Sequence, residues 1–168
     1  LYLFSAKGHV EIIDTEYSIR TARAIVEAGS LLIEPVDEAI LESAPVVVDG
    51  KIYSKYGIGL AVIFVPLVLA AKLGASLTGM PAELLEAFLI SFYNVPFALG
   101  GLYFFFRLCE RLVKNQGKAL TATILCGCCT WYWKYSVTDF SEITQAFFLL
   151  GCLHMLIARK DPLTMKAS

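Results

Sequence analysis

Charge is scarce in this chain of 168 residues: Asp, Glu, Lys and Arg make up 17% of it, against about 25% in an ordinary soluble domain. From Ala87 to Phe106 there is no charged residue at all. What charge exists is balanced, 14 basic against 15 acidic residues. No basic excess is left to hold a phosphate backbone, and nucleic acid is not expected as a partner. Histidine is limited to His9 and His154, far apart in sequence. The five cysteines include a C-x-C-C cluster, Cys126, Cys128 and Cys129, but it lies in an apolar run without further ligands at metal spacing. Small residues packing helices in lipid account for it. No basic-then-apolar signal-peptide pattern follows Leu1.

What the chain does have is apolar sequence, 57% hydrophobic with a mean hydropathy of +0.66. It is unevenly spread. Residues 1–4 read as the end of a preceding transmembrane helix, and the whole as a fragment of a longer protein. Residues 5–56 are mixed, with nine acids against five bases. Within them the spacing of Ile19, Ala22, Ile25 and Val26 predicts an amphipathic helix over 15–28, capped by Asp14 or Thr15 and ended by Gly29. A Val-rich run, Asp49-Gly50 and a β-prone run predict a hairpin.

Residues 57–168 form the membrane region. The expected helices are 57–74, 87–106, 119–136 and 141–158. Cytoplasmic loops are rich in Lys and Arg. Two loops qualify, one with Arg107, Arg111, Lys114 and Lys118, the other with Arg159, Lys160 and Lys166. Both then face the cytoplasm, and 5–56 and 134–142 face outward. Under that rule the run at 57–74 cannot cross. Its apolar part, Ile58–Ala71, spans only about 21 Å as a helix against a core of about 30 Å. It is expected to be shallow or re-entrant. The fold class is an all-α, multi-spanning helical bundle whose outer loop carries amphipathic juxtamembrane helices.

Several outward-facing groups are candidates for chemistry. Asp14 and Glu16 place two carboxylates at a helix start, fit for a general base or a divalent metal, though helix capping with a favourable dipole interaction is the plainer account. Lys55, beside Tyr53 where a polar loop meets the apolar phase, suits an anionic lipid phosphate; snorkelling is the plainer account. Lys134 and Glu142 flank a short turn behind an aromatic cluster. Each signal is weak alone.

Taken in order, however, these pieces resemble bacterial membrane glycosyltransferases of the GT-C architecture, including protein mannosyltransferase and aminoarabinose transferase relatives. The matching segments are Asp14-Thr15-Glu16-Tyr17 with Thr21 to Val26, Asp49 to Leu60, and Trp133-Lys134-Tyr135 to Phe140-Ser141-Glu142. Tyr56 and Gly57 stand where that family often has prolines. The resemblance implies an integral enzyme, in a bacterial inner or plasma membrane, with its catalytic face outside. It would take a sugar from a polyprenyl-phosphate donor to an acceptor that the sequence does not name. In it Asp14 would be catalytic, with Glu16 second and Asp14 the candidate ligand of a divalent metal. Lys55 and Tyr53 would hold the donor phosphate, and Lys134 and Glu142 would orient substrate. Membrane lipids are the other expected partner. The competing readings are a non-enzymatic multi-spanning protein and a transporter fragment.

Overall fold

The computed structural model describes Tyr2, residues 13–33 and residues 38–160. Apart from Tyr2, the expected helix end at 1–4 lies outside the described residues, as do the start of the outer loop at 5–12 and Lys166. The chain is mostly helical and divides into two compact units, one of residues 6–92 and one of residues 1–5 with 93–168.

The first unit begins with α1, Ile13–Ala28. Asp14 and Thr15 therefore sit inside its first turn. Gly29, at φ 60°, ends it by donating its N–H to the Ile25 carbonyl, the left-handed stop that glycine makes without steric cost. The short helix α2, Glu38–Glu42, follows. Strands β1, Val46–Val48, and β2, Lys51–Tyr53, pair antiparallel, with Val46 opposite Tyr53 and Val48 opposite Lys51. Asp49 and Gly50 both have positive φ, 51° and 72°, as a two-residue turn matched to strand twist requires. Ile33 N–H donates to the Ile52 carbonyl, tying the chain after α1 to β2.

Helix α3, Ile58–Thr78, is 21 residues long. The expected helix at 57–74 rested on a 14-residue apolar run; the helix continues through Lys72 to a left-handed stop at Gly79. At about 31 Å its length no longer argues against a crossing. Pro66 lies on its exposed side. Helix α4 is Ala82–Ser91. Helices α1 and α3 run parallel. Asp14 meets Tyr56 at one end, and Glu27 meets Lys72 at the other. Ala61, Phe64, Val68 and Ala71 make the buried face of α3.

The second unit holds α5, Asn94–Val113, α6, Gln116–Cys129, α7, Trp131–Ser136, and α8, Glu142–Lys160. Asn115 caps α6 by accepting from Lys118 N–H at 3.0 Å. The expected span 119–136 is interrupted at Thr130, whose hydroxyl accepts from Tyr132 N–H and caps α7. Helices pack closely at glycines. A Cβ on Gly101 would lie 2.5 Å from the Tyr132 hydroxyl, and one on Gly100 2.5 Å from the Phe147 ring.

By length and composition, two helical stretches are apolar enough to cross a membrane, Ile58–Thr78 and Ala82–Val113; Glu142–Ile157 is a shorter apolar helix.

Candidate functional site

The first unit gathers three of the expected site residues at the start of α1. Tyr17 is fully buried with Ile33 and Ile40. Its hydroxyl reaches the Ile40 carbonyl at 3.2 Å and Ser43 Oγ at 2.6 Å. The Tyr56 ring packs edge-on against Tyr17, with centroids 5.5 Å apart. The Tyr56 hydroxyl donates to Asp14 Oδ1. That bond holds the phenol proton, pushing the Tyr56 pKa up to about 12; partial burial and the Asp14 charge act in the same direction.

Lys55 Nζ stands 5.7 Å from the Tyr17 ring centroid and 5.3 Å from that of Tyr56. It donates to the Ser43 carbonyl. A carboxylate and an ammonium 41 positions apart in sequence thus bracket one tyrosine, Asp14 at its hydroxyl and Lys55 over its face. An ammonium has three donors, so the Ser43 contact leaves others for a ligand.

A small cleft opens beside this cluster, between Ser18 and Thr21 of α1 and Tyr53 at the end of β2 with Ser54 and Tyr56 after it, and with Ile58 behind. The Ser18 and Thr21 hydroxyls donate back to the Asp14 and Tyr17 carbonyls, and Ser54 Oγ accepts from Tyr56 N–H. Tyr53 lines this cleft; Lys55 lies outside its lining.

Glu16 does not join Asp14. Two positions on, it turns away around the helix and pairs with Arg20 at 2.7 Å, an ordinary i,i+4 pair. Among the described residues no group of three or more His, Cys, Asp or Glu side chains assembles to hold a metal ion. Asp14 accepts from Tyr56 through Oδ1.

Lys134 and Glu142 belong to the second unit. Lys134 is exposed on α7 beside Trp131 and Trp133, at the edge of a shallow depression that Cys128 and Cys129 also line. Glu142 is exposed at the start of α8. Among the described residues neither makes an ion pair. The turn between them is held from below. Asn94, fully buried, donates its amide to the Thr138 and Phe140 carbonyls and accepts from Thr144. Asp139 is buried in that turn.

Two polar residues escaped the sequence reading. Asn94 was hidden as a single amide inside an apolar run. Glu86 is 3% exposed and pairs with Arg23 at 2.8 Å. An acid one position before an uncharged run of 20 residues was the available signal. No family model, curated protein or solved structure matches this chain.

Proposed function

We propose that the chain is part of an integral-membrane glycosyltransferase that moves a sugar from a polyprenyl-phosphate donor to an acceptor at the outer face. The observation that carries this reading is the bracket around Tyr56. A carboxylate able to accept a proton stands a ring's length from an ammonium able to meet a phosphate. Sugar transfer needs both: a base for the acceptor hydroxyl and positive charge where the phosphate leaves. Asp14 takes the acceptor proton. Lys55 offsets the charge that grows on the departing polyprenyl phosphate. Tyr53 and the hydroxyls around the cleft offer hydrogen bonds to the donor. Glu16, held by Arg20, shapes the local field. The resemblance of the motifs to the GT-C enzymes supports the same assignment as analogy.

The test uses the full-length protein in membranes, with transfer followed from a radiolabelled polyprenyl-phosphate hexose. Asp14→Asn is expected to lose about 10²- to 10⁴-fold in rate, the usual worth of a general base. Lys55→Met is expected to be impaired as well. Unchanged transfer by Asp14→Asn at normal expression would remove Asp14 from the chemistry.

A further inference from the structure

The first unit has two unlike sides. On α3, Ile58, Val62, Leu69, Leu73 and Leu77 are all half-exposed or more, and they recur at helical spacing along one face. Pro66 is exposed within the same stripe. From Ile58 to Leu77 this uncharged stripe runs about 28 Å. Leu84 and Phe88 of α4 are likewise exposed. The opposite face of α3 is covered by α1, a polar helix that carries Glu16, Arg20, Arg23 and Glu27.

These charges are tied to the apolar helices along their length. Arg23 reaches Glu86 on α4, and Glu27 reaches Lys72 on α3. Because α1 runs parallel to α3 from Asp14 to Glu27, about 20 Å, it shares whatever depth α3 takes. If α3 crossed the bilayer, these four charged residues would be spread through the hydrocarbon core beside it. Each charge at that depth carries a penalty, and pairing offsets only part of it. If α3 lies in the plane of the membrane, the apolar stripe meets lipid and the charged cover meets water, with no such penalty.

We propose that the exposed face of α3 and α4 is a docking surface for one leaflet of a lipid bilayer, and that α3 lies along the membrane instead of through it. This inference stands apart from sugar transfer and holds for any activity of the chain. It sets the hairpin and the Glu27–Lys72 pair on the same side of the membrane.

Spin labels at Val62→Cys, Leu69→Cys and Leu77→Cys test it, in the full chain with its native cysteines replaced and reconstituted in phosphatidylcholine vesicles. All three are expected at one shallow depth, about 5–10 Å below the headgroups, accessible to oxygen. Depths that pass through the bilayer centre from one end to the other overturn the proposal. Labels shielded from both oxygen and a water-soluble relaxant also overturn it, because protein then covers the stripe. A second measurement, in the same background without native cysteines, asks sidedness. An impermeant maleimide should label Asp49→Cys and Ser76→Cys from the same side of sealed vesicles, and labelling from opposite sides overturns the proposal.

Discussion

Asn94 holds the carbonyls of Thr138 and Phe140 at 2.7 Å each from a single buried amide. The Tyr93 hydroxyl adds a bond to the Phe140 carbonyl at 2.9 Å. The turn that leads from Lys134 to Glu142 is therefore shaped by residues from the start of α5. An Asn94→Leu variant keeps the branched shape but takes the amide donor from the buried Thr138 carbonyl and leaves Phe140 with Tyr93 alone. It should lose about 1–3 kcal/mol, read as a lower unfolding midpoint in detergent. A change within about 0.5 kcal/mol, the range of a neutral surface substitution, would show that the turn stands without the clamp.

Gly101 and Tyr132 make a second testable pair. The Tyr132 hydroxyl donates to the Ala98 carbonyl at 2.8 Å, just where a Cβ on Gly101 would intrude. Gly101→Ala should destabilise by about 1–3 kcal/mol through overpacking. Adding Tyr132→Phe removes the colliding oxygen, so the double variant should be more stable than the sum of the single changes. Strict additivity would mean the helices simply move apart.

Burial is unequal in the Arg23–Glu86 pair, with side-chain exposures of 30% and 4%. Removing the exposed partner strands a buried carboxylate. Arg23→Met should therefore cost more than Glu86→Gln, which leaves arginine a neutral acceptor and a path to water. The combined variant should recover part of the loss. Equal costs in thermal unfolding would indicate that Glu86 finds other solvation.

The raised pKa of Tyr56 gives a pH dependence with a definite sign. Its phenol is protonated when it donates to Asp14, so the folded state holds that proton more tightly than the unfolded chain. The contact is fully present below about pH 10, the ordinary value for tyrosine. It is lost as pH rises toward about 12. Ultraviolet difference titration of wild type against Tyr56→Phe should show one phenol ionising late. An ordinary titration near 10 would separate Tyr56 from Asp14.

Much of the first unit is legible in the sequence. Asp49-Gly50 between Val46–Val48 and Lys51–Tyr53 is local turn chemistry, and the hairpin follows from it. The period of Ile19, Ala22 and Ile25 marks α1 in the same way. Glu16 pairs with Arg20, an i,i+4 relation that the sequence itself carries. The helix breaks were less visible. Thr130 stands in a run of residues that would all continue a helix, and it caps α7 because its hydroxyl takes the Tyr132 N–H. Lys55 stands at a polar–apolar border in the sequence. That Tyr17 and Tyr56 hold it, with Ser43 accepting from it, depends on chain segments meeting in space, which no single-sequence period records.

The opposed faces of α3 obey different rules of change. Ala61 and Ala71, fully covered, admit neither bulk nor charge. Val62, Leu69 and Leu77 face outward and can exchange among apolar side chains of any shape, provided none is charged. Drift among related sequences should therefore concentrate on one side of this helix: variable in size yet uniform in oiliness there, and fixed in size on the covered side.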